Sequence, residues 1–286
     1  MIRKPLHTFR SDAYNPSTPH KTGFLMMNFM HLSNRPLPPS RPWRFAPIPQ
    51  APLLWSVALS ILWIALLKLF YLHPQIDLAV AGWFFDRVTC SSASGKVCGL
   101  FFLADQPLLG VLRKILFYLP HLAAVILIGV WVVKAHHPHP SARERQMIGT
   151  IKLALLSLLL GPGLLVNGAL KEWSGRPRPY QTDLFGGHDA FVAAGDFSGS
   201  CGHNCSFISG EAAGAGWLIC LVPLLPVRWR RWVGPPLIAL ALLTPLLRVA
   251  FGGHYLSDAV LGFLSSPLVF ALVFALHRLF SQLRYF

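Results

Sequence analysis

The chain has 286 residues, 53% of them hydrophobic and only 13% charged, with 25 Lys and Arg against 11 Asp and Glu for a formal net charge of +14. With a mean hydropathy of +0.50, this composition excludes an ordinary soluble domain and fits an integral membrane protein. The expected partner is therefore a lipid bilayer, with no nucleic acid.

Residues 1–50 come first, rich in Pro, Ser, His and Arg and without helical periodicity. They carry Arg3, Lys4, Arg10, Lys21, Arg35, Arg41 and Arg44 against Asp12 alone. The segment reads as a disordered basic tail able to adhere to anionic lipids. It does not read as a signal peptide, because its first apolar core arrives too late, and Met26, Met27 and Met30 are alternative starts.

Residues 51–286 read as one domain with six apolar runs, each near the roughly 20 residues that cross a bilayer core as a helix. The expected spans are 53–72, 115–133, 148–170, 207–226, 233–250 and 259–279, so the predicted fold is an all-α, six-helix transmembrane bundle. Lys68, near the end of the first span, can snorkel. A shorter apolar stretch ending in Arg113 and Lys114 precedes the second. Gly161-Pro162-Gly163 interrupts the third and predicts a kink or a close helix contact. His136, His137 and His139 in "HHPHP" read as a solvated loop rather than a metal site.

Orientation follows from the cations, which short cytoplasmic loops retain. The tail, Lys134, Arg143 and Arg145 after span two, Arg228, Arg230 and Arg231 after span four, and Arg278 and Arg284 at the end all fall on one side. Both termini are thus expected in the cytoplasm. The segments 73–114, 171–206 and 251–258 are then external, and they hold Cys90, Cys98, Cys201 and Cys205, where oxidation persists. Local pairs Cys90 with Cys98 and Cys201 with Cys205 are expected, with other connectivities open. Cys220, inside span four, reads as a packing residue.

The external segments carry the chemistry. "KEWSGRPRP" places Lys171, Arg176 and Arg178 outside, where a positive-inside chain should not leave three cations; snorkelling explains Lys171 alone. "LRVAFGGHYLSD" places Arg248 at the end of span five, His254 in a glycine-flanked turn and Asp258 four residues later, a helical spacing that lets a carboxylate orient an imidazole. Ser209 and Gly210 stand at the start of span four, where free backbone N–H groups favour an anion. A Ser N-cap with Glu211 in the first turn is an equally sensible reading of that stretch.

Together these stretches resemble the type-2 phosphatidic acid phosphatase superfamily. Its first motif, Lys, six residues, Arg-Pro, is met by Lys171 and Arg178-Pro179. Its third, Ser-Arg, five residues, His, three residues, Asp, is met by Arg248, His254 and Asp258, with Leu247 in place of Ser. Its middle motif, Pro-Ser-Gly-His, is here Ile208-Ser209-Gly210-Glu211. The resemblance covers about residues 53–280. It implies a six-helix bundle and a two-step displacement in which His254 attacks phosphorus and Asp258 orients it. Lys171, Arg178 and Arg248 would hold the phosphoryl oxygens with the Ser209 and Gly210 amides, Arg176 would be an accessory, and no metal or other cofactor would be required.

Glu211 stands where the family carries its second histidine, the group that protonates the leaving alcohol and then takes a proton from water. A protonated Glu211 would suit an ordinary phosphomonoester; an ionised one would favour a pyrophosphate or a sugar-anomeric phosphate. Within the superfamily, "NCSFISGEAA" is similar to bacterial lipid A phosphatases of the outer face of the inner membrane. Undecaprenyl pyrophosphate, phosphatidylglycerophosphate and phosphatidic acid are alternative substrates. Phosphotransfer to another lipid, or lipid-phosphate binding without catalysis, are alternative activities.

Overall fold

The computed structural model describes residues 51–90 and 97–283; the expected tail over 1–50 and Arg284 lie outside the described residues. In chain order the elements are α1 (Pro52–Leu72), the short α2 (Gln75–Gly82), strands β1 (Phe85–Val88) and β2 (Cys98–Phe101), and α3 (Pro107–Ala135). Then α4 (Ala142–Leu158) runs through a π-helical stretch (Leu159–Leu170) into the single turn α5 (Lys171–Trp173), followed by α6 (Gly210–Leu221), α7 (Val227–Ala250) and α8 (Leu256–Leu283). Helices α1, α3, α7, α8 and the continuous helix Ala142–Trp173 are long and apolar enough to cross a bilayer. This is a multi-pass membrane protein.

Two details differ from the expected all-α bundle. The fold is mostly helical, but β1 and β2 form an antiparallel hairpin, Phe85 opposite Phe101 and Val88 opposite Cys98, closed by the Cys90–Cys98 disulfide. The run expected to span at 207–226 forms a helix only over Gly210–Leu224, about 22 Å long at 1.5 Å per residue and short of the roughly 30 Å hydrocarbon core. Ser209 caps its start by accepting from Ala212 N at 3.3 Å, and Pro223 turns its end into a 3-10 turn.

Helix starts also lie further upstream than uninterrupted apolarity suggests. Pro107 opens α3, a residue suited to a first turn that has no intrahelical N–H partner, so Arg113 and Lys114 lie within the helix. A capping box of Ser141 and Glu144 opens α4, each satisfying a backbone N–H of the other. The Gly161-Pro162-Gly163 interruption neither ends nor simply kinks its helix. The turns there widen to π-helix, and Asn167 Nδ2 donates to the Pro162 carbonyl at 2.7 Å.

Packing centres on α6, whose residues from Ala212 through Leu218 are all buried. Its closest neighbour is α8: a side chain at Gly262 would lie 2.5 Å from the Ser209 carbonyl oxygen, so only glycine permits that approach. Polar anchors fix the bundle. Ser266 Oγ donates to Ala213 O at 2.6 Å, Trp217 Nε1 to Ala154 O at 2.9 Å and Trp63 Nε1 to Leu261 O at 3.0 Å. The outer faces of α1 and α3 expose Leu, Ile and Val, a surface suited to lipid tails.

Candidate active site

The described parts of the segments 73–114, 171–206 and 251–258 meet at one end of the bundle. Phe85, Phe101, Phe185 and Tyr255 pack there into one aromatic cluster. The 201–206 loop is stitched to α5 and the turn after it: Cys205 N donates to Lys171 O, Cys201 N to Gly175 O and Ser206 N to Arg176 O, at 2.8 to 3.0 Å. The Cys201–Cys205 disulfide closes this loop. Both disulfides join the pairs expected from sequence.

His254, 1% exposed, follows the Gly252-Gly253 turn. Its Nδ1 lies 2.8 Å from the Ser206 carbonyl oxygen. A carbonyl only accepts, so Nδ1 carries the proton and Nε2 keeps the lone pair. Burial, then Arg248, Lys171 and Arg178, hold the His254 pKa well below the usual imidazole value, which keeps the ring neutral and nucleophilic. A side chain at Gly253 would lie 2.6 Å from Arg248 Nη2 and would displace that guanidinium.

Asp258 is not the direct orienter that its spacing suggested. Its Oδ2 is 3.9 Å from His254 Nδ1; it accepts instead from Ser206 Oγ at 2.6 Å and Tyr255 N at 3.0 Å. Its Oδ1 accepts from Arg176 Nη1 at 2.6 Å. Asp258 therefore fixes the loop that holds the imidazole.

Arg176, expected as an accessory phosphate ligand, points into the protein and is fully buried. It donates to Val192 O, Ser257 Oγ, Asp258 and Asp77 Oδ2, all within 2.8 Å, and stacks over the Tyr255 ring at 4.4 Å. Asp77, on α2, completes this network by accepting from Ser257 N and Ser257 Oγ. A buried guanidinium between two carboxylates needs these partners.

The other cations stay near the histidine. Arg178 Nη2 donates to Asn204 O and Oδ1, each at 3.0 Å, and Lys171 Nζ reaches the same Oδ1 at 3.4 Å. Arg248 lies beside Glu211, its Nε 3.3 Å from Oε1. Glu211 is also held by Arg113 of α3, with Nη2 to Oε1 at 2.7 Å and Nε to Oε2 at 3.3 Å. The Ser209 amide, expected to face a phosphate, donates to Asp258 O at 3.0 Å, because α8 approaches so closely. Gly210 stands at the first turn of α6.

Asp77, Arg113, Asn204 and Ser206 carry no motif signal and were not expected in the site. Asp77 had one weak cue, a lone carboxylate in the apolar stretch "DLAVAG".

Residues 151–282 match the model of the PAP2 superfamily. The chain is similar to a protein named lipid A 4'-phosphatase from Rhizobium leguminosarum, 46% identical over 75% of this chain and 93% of that protein. It is also similar to one of the same name from Francisella tularensis subsp. novicida, 30% identical over 72% of this chain and 89% of that protein. A crystal structure of a transmembrane PAP2-type phosphatidylglycerolphosphate phosphatase from Bacillus subtilis aligns with a TM-score of 0.48 and 19% identity, covering 78% of this chain and 96% of that one.

Proposed function

Because the chain belongs to the PAP2 superfamily and is a membrane phosphoric ester hydrolase, we propose that it removes a phosphate from lipid A or a related lipid through a phosphohistidine intermediate. The observation that carries this reading is the neutral, backbone-held His254 in the field of Lys171, Arg178 and Arg248. Two relatives named lipid A 4'-phosphatase support the substrate class.

In the first transfer His254 Nε2 forms a bond to phosphorus while the bond to the lipid oxygen breaks. The three cations and the Gly210 amide stabilise the charge on the phosphoryl oxygens. Glu211, at the position of the family's second histidine, gives its proton to the departing oxygen. In the second transfer water attacks phosphorus, its proton passes to Glu211, the P–N bond breaks, and inorganic phosphate leaves with the imidazole restored. Asp258, through Ser206, supports the ring while it carries the phosphoryl group.

In the same proposal α6, short but buried among the longer helices, counts as a sixth membrane segment, both termini are cytoplasmic, and the site faces the periplasm from the inner membrane. The cations Lys134, Arg143, Arg145, Arg228, Arg230, Arg231 and Arg278, in short loops or at helix ends, support this orientation. The lipid tails then stay in the bilayer while the phosphate enters the site. The test is phosphate release by purified protein from lipid A, a prenyl pyrophosphate and a glycerophospholipid phosphate, beside His254→Ala. Release from lipid A that the variant lacks is expected; release from none of the lipids would overturn the proposal.

A further inference from the structure

We propose that Arg113 is a positioning residue acting through Glu211, and that it is the partner which lets a carboxylate stand where the family carries a histidine. This rests on the reading of Glu211 as the proton-transferring group. Arg113 belongs to no motif, precedes the residues matched by the family model, and lies 98 positions before Glu211. It nevertheless takes both carboxylate oxygens, Oε1 through Nη2 at 2.7 Å and Oε2 through Nε at 3.3 Å.

Charge explains why such a partner is needed. A neutral imidazole at position 211 would leave Lys171, Arg178 and Arg248 free to face the phosphoryl oxygens. The carboxylate formed when Glu211 gives up its proton lies beside Arg248, whose Nε is 3.3 Å from the same Oε1, and offsets one of the three charges. Arg113 supplies the missing charge from the other side. It also fixes the carboxylate in one orientation through a two-pronged contact, which a single ammonium could not impose. The side-chain exposures, 11% for Glu211 and 38% for Arg113, place the carboxylate inward with the guanidinium covering it. An ordinary exposed ion pair would contribute little and would have no reason to place its carboxylate oxygen 3.3 Å from the Nε of the buried Arg248.

The test uses full-length protein in detergent, with lipid A and p-nitrophenyl phosphate as the two substrates. For R113Q, kcat on lipid A should fall about 10- to 100-fold, part of what general acid–base catalysis supplies. KM should change less than kcat, staying within about threefold, since Lys171, Arg178 and Arg248 remain to bind the phosphate. On p-nitrophenyl phosphate, whose leaving group departs without a proton, the loss should be much smaller. R113K, with the charge but not the fork, should recover part of the rate on lipid A.

Arg113 acting through Glu211 also requires that R113Q/E211Q be no slower than E211Q. E211H alone should be slow because it leaves the guanidinium facing an imidazole, and R113Q/E211H should regain activity. Additive losses, equal losses on both substrates, or no recovery in R113Q/E211H would overturn the inference while wild-type activity on lipid A stands. A wild type inactive on every lipid would overturn the functional reading, and this inference with it.

Discussion

His254 Nδ1 lies 2.8 Å from the carbonyl oxygen of Ser206 and 3.9 Å from Asp258 Oδ2, so backbone holds the imidazole and the aspartate acts on it at one remove. The spacing of four residues between histidine and aspartate is thus used to fix a loop rather than to form a direct pair.

The first consequence concerns Ser206. Ser206→Ala removes the hydroxyl that reaches Asp258 but keeps the carbonyl that sets the tautomer. Its kcat should fall by less than about tenfold, the scale of one hydrogen bond of about 1 kcal/mol. Asp258→Asn, which also loses its charge opposite Arg176, should cost considerably more. Steady-state rates of the two variants side by side decide this; equal losses would contradict the indirect arrangement.

The pH dependence follows from His254. Burial and three cations depress its pKa below the ordinary value of 6.5, so the ring remains an uncharged nucleophile as pH falls through that value. The acidic limb of kcat/KM assigned to His254 should therefore lie below about pH 6.5. The same depression means that the folded chain resists a proton the unfolded chain accepts. Its contribution to stability is complete above that pH and is lost as pH falls towards the folded value.

Asp77 should matter mainly for stability. Asp77→Ala leaves the fully buried Arg176 with one carboxylate instead of two, and breaking such a pair costs about 3–5 kcal/mol. A large fall in Tm in detergent is expected, with a smaller fall for Asp77→Asn. A Tm unchanged in both would show that Asp258 alone satisfies the guanidinium.

The Cys201–Cys205 bridge carries Asn204 and Ser206 between its ends and just beyond. Removing it with a double Ser substitution should cost about 2 kcal/mol for so short a loop. It should also slow turnover, because both the imidazole's partner and the Asn204 contact with Arg178 loosen. Thermal unfolding and phosphate release of this double variant beside the wild type, which keeps the Cys90–Cys98 bridge in both, check the point.

The sequence by itself determined the membrane-embedded helical character; it also pointed to local pairing of the four loop cysteines, with other connectivities open, and to Lys171, Arg178, Arg248 and His254 as candidate site residues. These are local properties: hydropathy is summed over a run of some twenty residues, and the motif spacings lie within one turn or one loop. The sequence also showed that Glu211 was an anomaly at its position.

Only the tertiary structure decided what surrounds those residues. Arg113 meets Glu211 from 98 positions away, and Asp77 meets Ser257 from 180; no periodicity links such pairs. The direction of a long side chain is also invisible in sequence. Arg176 and Arg178 are separated by one proline, yet the first turns inward to two carboxylates and the second to Asn204. Burial decides between them, since a guanidinium withdrawn from water must find fixed partners, and which partners lie within reach is settled only when distant segments pack together.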